Sequence, residues 1–406
     1  MAESEGKPIW AEDGWWVSPF NFNPLVREAL GKLPERVKLH DVTLRDGEQT
    51  PGVVFRKEEK VRIAQMLDEL GVDRIEASFP AVSAEDVEAT KQIVKFRPKA
   101  EVFVLSRASK SDVDVALECG VDGIILEVPV GTPRLKFQFP GWTEDDVINR
   151  AVEWGKYAKQ KGLKVVLFPM DCTRAEPEFF DRFLSEVSAK AQPDAITLVD
   201  TAGCLVPQAA MYLVKRMKEI TGLPIEVHAH SDLGLGVATS LAAVAAGAEV
   251  VHVSAGGLGE RTGNTALEEV AVALRVLYGV QVGIDFSKLT PIVRSVCEIA
   301  RFGLATNKPI VGERAFTRES GLGIDLIRKQ PLALFCVNPN FVGQEPKYVL
   351  GKKSGLPSVE MKLADMGIKH LTQEQKEKVL QRVKELALEK KGLVTDEEFL
   401  AIVKSV

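Results

Sequence analysis

Along most of the chain, short apolar runs alternate with segments in which apolar and polar residues follow a helical period. Between about residues 36 and 282 the apolar runs are rich in β-branched residues, and amphipathic stretches lie between them. In residues 58–70, for example, apolar residues recur three and four positions apart, as on a helix that packs against a sheet. This alternation is typical of α/β proteins with a parallel sheet.

Eight of the apolar runs are predicted to be β-strands. They cover residues 37–42, 74–79, 102–105, 123–128, 164–168, 195–200, 225–230 and 250–254. Eight β/α units in roughly 250 residues predict a TIM barrel, which is a closed ring of parallel strands surrounded by helices. The alternative is a doubly wound open sheet, which normally has fewer strands and a glycine-rich dinucleotide turn after the first one. The first strand here has no such turn, and this favours the barrel.

The pattern divides the chain into an N-terminal extension (1–35), a TIM-barrel catalytic domain (36–282) and a helical C-terminal subdomain (283–406). Three tryptophans of the extension are expected to be hydrophobic anchors: Trp10, Trp15 and Trp16. In the subdomain the strand signal disappears, and a charged helix is predicted from about residue 372 to 391. No strand–helix alternation follows Ser354, so we expect no α/β regulatory domain and no control by leucine or isoleucine.

Composition and charge exclude several classes of protein. The 406 residues are 45% hydrophobic and 27% charged, and the net charge is −5 with no basic tract, which argues against a nucleic-acid or membrane-surface partner. No apolar stretch approaches the roughly 20 residues that span a bilayer, so we expect a cytoplasmic protein. The five cysteines form no C-x-x-C pair, and we assign them no chemistry.

Polar side chains follow four of the predicted strands at the points where they end. In a TIM barrel the loops after the strands converge on one mouth, where chemistry takes place. We therefore expect these residues to lie close together. They are Arg45, Asp46 and Gln49 after the first strand, Asp171 and Arg174 after the fifth, Asp200 and Thr201 after the sixth, and His228 and His230 on the seventh.

The two histidines of the seventh strand suggest a metal site. His228 and His230 are two residues apart, so both imidazoles project from the same face of the strand. They could instead be a packed or hydrogen-bonded pair, but Asp46 at the mouth can supply a third ligand. Two nitrogens and one oxygen suit Zn²⁺, Mn²⁺, Co²⁺ or Fe²⁺, and Mg²⁺ less naturally. Three protein ligands leave coordination positions open, as a catalytic site requires.

Arg45 indicates that something anionic binds beside the metal. A guanidinium next to a metal site is repelled unless negative charge lies between them, so Arg45 implies an oxygen-rich substrate or a developing oxyanion. Its alternative role is a salt bridge, for instance to Glu48. Thr201 offers a hydroxyl to a carboxylate, although threonine is also common at helix N-caps. Residues 254–270 form a glycine-rich loop in which backbone groups can approach a ligand closely.

Four ordered motifs resemble those of the DRE-TIM metallolyase superfamily. They are L-R-D-G-E-Q-T-P-G, V-D-T-A-G, H-A-H-S-D-L-G-L and G-L-G-E-R-T-G-N-T-A-L-E-E-V. The chain is most similar to the Claisen-condensing branch, which contains isopropylmalate, citramalate, homocitrate and Re-type citrate synthases. The resemblance implies a metal-dependent acyltransferase that condenses acetyl-CoA, or a related acyl-CoA, with a 2-oxo acid.

The same resemblance implies roles for individual residues. Asp46, His228 and His230 would bind a divalent metal (Mn²⁺, Mg²⁺, Co²⁺ or Zn²⁺), with Asn264 facing the ion directly or through water. Arg45 would stabilise the enolate or alkoxide. Thr201 would hold the carboxylate of the 2-oxo acid, which would chelate the metal, and Gln49 is a further candidate for substrate binding. A homodimer is expected for this family.

Two alternatives to a synthase remain open. One is a lyase of the same superfamily that cleaves a hydroxy acid or its CoA ester by a retro-aldol or retro-Claisen reaction. The lyase branch carries a cysteine in the loop after the eighth strand, whereas this chain has G-E-R-T-G-N there. The other alternative is a barrel that keeps its metal only as a binding or scaffold module.

The chain also departs from the synthase pattern. After the fourth strand, V-P-V-G-T-P-R-L replaces S-x-S-x-x-H, and after the fifth, Met170 replaces the glutamate of a Glu-Asp pair, which leaves Asp171 as the catalytic candidate. Arg318 and Gly323 occupy positions where histidines are expected. The extra cations Arg134, Lys136 and Arg318 suggest a more anionic oxo acid, such as oxaloacetate, 2-oxoglutarate or a phosphonate or sulfonate analogue, unless they are ordinary surface charges.

Overall fold

A closed barrel of eight parallel strands forms the centre of the computed structural model, which describes residues 8–406. Strands β1 to β8 follow one another around the barrel in chain order, and β1 closes the ring by pairing with β8. Their bounds are Lys38–Asp41, Arg74–Glu76, Glu101–Arg107, Gly123–Pro129, Lys164–Met170, Ala195–Asp200, Ile225–Ala229 and Val250–Val253. The predicted TIM barrel and each of its eight strands are confirmed.

Eleven α-helices accompany the barrel strands in the part of the chain from residue 18 to 304. Helices α1 to α11 span Pro24–Leu30, Lys57–Leu70, Ala84–Phe96, Lys110–Cys119, Thr132–Phe137, Glu144–Gln160, Pro177–Ala191, Pro207–Thr221, Gly236–Ala245, Leu267–Ala273 and Leu289–Ile299. Side-chain caps fix several starts: Ser83, Ser109 and Thr143 each accept a hydrogen bond from the backbone N–H three residues later. Helix α2 coincides with the stripe predicted over residues 58–70.

The interior of the barrel contains charged and aromatic side chains as well as aliphatic ones. His40 of β1 stacks on His252 of β8 with their ring centroids 4.3 Å apart, and both rings are buried. His40 Nε2 lies 3.3 Å from a Glu76 carboxylate oxygen, and His252 Nε2 lies 2.9 Å from Glu226. Arg74 donates to Glu226 at 2.7 Å. Buried charges are costly unless they are paired, and here Glu76 and Glu226 each have an imidazole and a guanidinium partner.

Contacts between residues group positions 8–17 with 305–406 into a second compact unit, apart from residues 18–304. This division differs from the predicted boundaries at 35 and 282. In the second unit, strands β9 (Thr317–Arg318) and β10 (Lys347–Tyr348) pair in parallel. Its helices α12 to α15 span Leu326–Lys329, Leu356–Asp365, Gln373–Lys390 and Asp396–Lys404.

Two features hold the second unit together internally. Helices α13, α14 and α15 pack around a shared apolar cluster that includes Val359, Val383 and Phe399. Trp15 is buried and packs edge-on against Phe341, with 5.5 Å between the ring centroids. Trp15 thus behaves as the predicted anchor. Trp16 is more than half exposed. Within residues 8–406, no helix has both the length and the apolarity needed to cross a membrane.

Asp41 of β1 is expected to make folding stability depend on pH. Burial raises the pKa of Asp41 from 3.8 to about 7, although Thr43 donates hydrogen bonds to it. The folded state then binds a proton more tightly than the unfolded chain, so stability should fall as pH rises from about 4 to 7 and then level off. Asp41→Asn should remove this pH dependence of the unfolding free energy, which amounts to about 4 kcal/mol at most.

The measurement is urea unfolding followed by circular dichroism between pH 4.5 and 8. Asp145→Asn, at an exposed position of α6, is the matched control and should keep the wild-type slope. An equal slope in wild-type protein and Asp41→Asn would contradict the expectation.

Candidate active site at the barrel mouth

The loop after β1 places Arg45 and Asp46 at the mouth of the barrel. The chain turns sharply after Val42, whose carbonyl accepts hydrogen bonds from the N–H groups of Arg45 and Gly47, and a single 3-10 turn begins at Gly47. Arg45 and Asp46 are both buried. Nη1 of Arg45 donates to Asp46 Oδ2 at 2.9 Å and to the side-chain oxygen of Gln49 at 3.3 Å.

The main partner of Arg45 is Glu76, at the end of β2. Arg45 Nε lies 2.6 Å from one oxygen of Glu76 and Nη2 lies 3.3 Å from the other, so the pair is bidentate. The sequence suggested Glu48 as the salt-bridge partner, but Glu48 instead pairs with Lys60 and accepts from the N–H of Phe55. A carboxylate from a neighbouring strand therefore holds the guanidinium.

Asp46, His228 and His230 meet in one buried cluster. The two Nε2 atoms are 3.2 Å apart, and Asp46 Oδ2 lies 3.4 Å from that of His228 and 3.7 Å from that of His230. Metal–ligand bonds of about 2.0–2.2 Å place neighbouring ligand atoms roughly 3.0–3.5 Å apart. The separations and the donor set of two nitrogens and one oxygen therefore fit a divalent ion, as the sequence predicts.

Asn264 joins this cluster through the glycine-rich loop after β8. It forms an isolated bridge with His230, and its amide nitrogen donates to the carbonyl of Leu258 at 3.0 Å. The loop can close this tightly only with glycine at position 263, where φ is +92° and an added Cβ would lie 1.9 Å from the carbonyl oxygen of Gly257. The Asn264 side-chain oxygen is buried without a hydrogen-bond partner, which suits a further metal contact.

The electrostatics of the cluster favour metal binding. Burial alone would raise the pKa of Asp46, but Arg45, His228 and His230 outweigh burial and hold this pKa well below its usual range. Burial lowers the pKa of both histidines, that of His230 to about 4. At neutral pH the site therefore offers an ionised carboxylate and two neutral imidazoles, which are the forms that bind metals.

Thr201 and Asp171 lie side by side at the ends of β6 and β5. The N–H of Asp171 donates to the Thr201 hydroxyl at 2.9 Å, which leaves the hydroxyl hydrogen of Thr201 available to a ligand. Asp171 adopts a left-handed backbone conformation with φ of 64° and is fully buried. Arg174 binds both of its oxygens, at 2.8 and 2.7 Å. The carboxylate of Asp171, which was predicted to be catalytic, is therefore engaged in an ion pair.

The other predicted substrate residues have different surroundings. Arg134 of α5 donates to Gln138 at 2.8 Å, and its Nε lies 4.0 Å from Asp171. Arg318 belongs to the second unit, where it ends β9 and donates to the carbonyl of Leu322 at 3.1 Å. Their roles in substrate binding stay predictions.

Near the mouth, two acidic residues of the barrel lining were missed by sequence analysis: Glu76 and Glu127. Both belong to strand segments that were assigned correctly, and Glu127 is the single charged residue of its apolar run. The strands of a TIM barrel are covered on both faces, and charged residues are seldom buried unless they are paired. A charged residue within such a strand therefore indicates a specific structural or functional role. The sequence could not specify their partners, because these come from neighbouring strands.

Fold and site together define a TIM-barrel protein with an arginine and a buried Asp–His–His cluster at its mouth, and the geometry of this cluster fits a divalent ion. The HMGL-like family profile matches residues 36–296, and the profile described as "Homocitrate synthase post-HMGL domain-like" matches residues 310–391. The chain belongs to the HMGL-like family, within the Claisen-condensing branch that its motifs resemble.

Curated relatives resemble this chain over most of its length. Homocitrate synthase AksA of Methanopyrus kandleri is 40% identical over 95% of this chain and 96% of its own. The 2-isopropylmalate synthase of Methanocaldococcus jannaschii is 42% identical over 95% of this chain and 74% of its own. The (R)-citramalate synthase CimA of the same organism is 40% identical, over 91% and 74%.

Solved structures support the fold alone. The crystal structure of HMG-CoA lyase from Bacillus subtilis matches with a TM-score of 0.60 and 20% sequence identity, over 67% of this chain and 96% of the lyase. The lyase from Pseudomonas aeruginosa gives the same TM-score at 23% identity, over 67% of this chain and 95% of its own.

Removing one histidine of the cluster should abolish tight metal binding. His230→Ala is expected to weaken Mn²⁺ binding at least about 100-fold, because the loss of residues that only orient ligands already costs about 10- to 100-fold. Titration of free Mn²⁺ by electron paramagnetic resonance measures the affinity. His370→Ala, at an exposed position, is the control and should bind Mn²⁺ like the wild type. Unchanged affinity in His230→Ala would disprove the site.

Proposed function

We propose that the protein is a divalent-metal-dependent acyltransferase that condenses acetyl-CoA, or a related acyl-CoA, with a 2-oxo acid. A new carbon–carbon bond joins the acyl methyl carbon to the keto carbon, the keto oxygen becomes a hydroxyl, and water cleaves the thioester to release CoA. The observation that carries the proposal is the buried meeting of Arg45, Asp46, His228 and His230 in a chain about 40% identical to curated synthases.

In this proposal Asp46, His228 and His230 hold the ion, and Asn264 supplies a further oxygen. Mn²⁺, Mg²⁺, Co²⁺ and Zn²⁺ are the candidates. When bound, the ion supplies Lewis acidity that polarises the keto group of the oxo acid. The four residues come from three places in the chain but are held rigidly by the barrel, so little reorganisation is needed when the ion enters.

Arg45 stabilises the negative charge that develops on oxygen during condensation. Glu76 fixes the plane of the guanidinium through two hydrogen bonds, and Asp46 and Gln49 both contact the same terminal nitrogen, Nη1. Burial would lower the pKa of Arg45, but Glu76 and Asp46 outweigh burial and raise this pKa, so Arg45 stays protonated. A fixed cation of this kind is already oriented before the reaction begins.

Thr201 and Gln49 position the 2-oxo acid. The Thr201 hydroxyl accepts from the backbone of Asp171 and can donate its hydrogen to the substrate carboxylate. The side-chain oxygen of Gln49 faces Arg45, so its amide hydrogens are left for the substrate. Asp171 acts through its neighbours in this scheme, since Arg174 engages both of its oxygens.

A cavity beside Arg45 can receive the acyl end of the donor. Its volume is about 410 Å³, and Arg45, Gln49, Val54 and Phe79 are among its lining residues. Its lining also includes the charged side chains of Glu48, Lys60, Glu85 and Asp86. Arg45 lines this cavity and also contacts the metal cluster. An acyl group in the cavity would therefore lie close to the keto carbon of an oxo acid at the cluster.

A lyase of the same superfamily has less support. The curated relatives at about 40% identity are named as synthases, and the loop after β8 lacks the cysteine expected of the lyase branch. A lyase would release acyl products from hydroxy acids or their CoA esters. A scaffold protein would retain metal but turn over no substrate.

The decisive experiment measures free thiol released from acetyl-CoA in the presence of Mn²⁺ or Mg²⁺ and a panel of 2-oxo acids. Cys204 and Cys336 are exposed and would react with thiol reagents, so each assay needs a control without oxo acid. We expect release that depends on both the oxo acid and the metal. No thiol release with any acid would refute the synthase proposal, and formation of acyl-CoA from hydroxy acyl-CoA esters without thiol release would indicate a lyase instead.

Replacing Arg45 should slow the reaction without removing the metal. Arg45→Gln is expected to reduce turnover by about 10²- to 10³-fold, the usual effect of losing one oxyanion donor. The measurement is thiol release at saturating oxo acid with Mn²⁺ affinity determined in parallel. Arg382→Gln, on the exposed face of α14, should retain full activity. A loss of less than about threefold in Arg45→Gln would contradict the assigned role.

A cytoplasmic location and a homodimer are also part of this proposal, carried over from the sequence. Light scattering coupled to size-exclusion chromatography would test the dimer directly.

A further inference from the structure

Glu127 of β4 faces the inside of the barrel near its mouth. It is in register with Phe168 of β5, and side chains in register on neighbouring parallel strands point to the same side of a sheet. Phe168 packs edge-on against His228, with 5.1 Å between the ring centroids, so this side is the barrel interior. Glu127 therefore shares the interior with the metal cluster, on the opposite side of the ring from β8.

The carboxylate of Glu127 has no hydrogen-bond partner within residues 8–406, although it interacts electrostatically with the guanidinium groups of Arg45, Arg107 and Arg134. Each of these cations is already engaged. Arg45 binds Glu76 and Asp46, Arg107 binds both oxygens of Asp112, and Arg134 donates to Gln138. Glu127 is only partly buried, so its carboxylate, which no protein donor occupies, is accessible to a ligand that enters the mouth.

Two of the ion pairs at the mouth are already balanced, whereas Arg134 has the neutral Gln138 as its hydrogen-bond partner. Arg45 is balanced by Glu76 and Asp46, and Asp171 is balanced by Arg174. Glu127 adds negative charge on the side of the barrel mouth that lies across from the metal cluster. Burial, Glu76 and Asp46 raise the pKa of Glu127, while Arg45 and Arg134 oppose this shift. A second substrate carboxylate near β4 would meet a like charge.

We propose that Glu127 determines substrate selectivity by excluding 2-oxo acids with a second, distal carboxylate and favouring those with a neutral side chain. This inference rests on the proposed function and concerns the same site. The carboxylate of the oxo acid lies toward Thr201 on β6, so the remainder of the molecule extends across the mouth toward β4. The conclusion is opposite to the expectation of a more anionic oxo acid drawn from Arg134, Lys136 and Arg318.

The test compares two oxo acids of equal chain length, 2-oxopentanoate and 2-oxoglutarate, which differ only in a terminal methyl or carboxylate. For the Mn²⁺-loaded wild type we expect kcat/KM to be at least about tenfold higher with 2-oxopentanoate. Glu127→Gln keeps the shape of the side chain and removes its charge, so it should reduce this preference at least about tenfold. Glu153→Gln, at an exposed position of α6, should leave the preference unchanged.

Binding of both acids to the Mn²⁺-loaded protein by calorimetry gives a second readout that does not require turnover. If no acid releases CoA, the proposed function fails, and the ratio of the two dissociation constants still tests Glu127. A wild-type preference for 2-oxoglutarate would overturn the inference. So would an equal effect of Glu127→Gln on both acids, because that indicates a general catalytic or structural role. Should Glu127→Gln fail to fold, the wild-type ratios alone decide.

Discussion

The ion pair between Arg45 and Glu76 is the interaction on which the candidate site depends. A buried guanidinium is tolerated only when carboxylates compensate its charge, and Glu76 does so with both oxygens while Asp46 contributes a third contact. Burial would raise the pKa of Glu76, but Arg45 and His40 lower it to about 2, so the pair stays ionised across the physiological range. Arg45 is thereby fixed beside the cluster of Asp46, His228 and His230.

This pairing continues into the barrel as a chain of buried polar contacts. Glu76 also faces His40, which stacks on His252, and His252 bonds Glu226, which accepts from Arg74. The contacts tie β1, β2, β7 and β8 together where an aliphatic core would otherwise lie. Removing one partner from such a network leaves an uncompensated buried charge, so the network constrains the register of the strands as well as the position of Arg45.

Sequence analysis was most successful where the signal is local. The hydrophobic period identified all eight strands, and the spacing of His228 and His230 predicted that their imidazoles share a face. A salt bridge of Arg45 to a carboxylate was expected as an alternative, but the example given was Glu48, which is close in the chain, whereas the actual partner Glu76 lies on the neighbouring strand. The ion pair of Asp171 with Arg174 and the unpaired carboxylate of Glu127 were likewise outside the reach of sequence analysis, since both depend on the exact path of the loops.

By itself, the sequence determined the barrel, the family and the kinds of group present at the strand ends, because periodicity, turn residues and ordered motifs are properties of short segments. Only the tertiary structure decided which of those groups touch. Closing eight strands into a ring brings side chains of β1, β2, β7 and β8 within hydrogen-bond distance, although these strands are separated by up to about two hundred residues. It also places Glu127 on the far side of the same opening. Charge pairing at the mouth is therefore a consequence of closure and strand register, which no local pattern encodes.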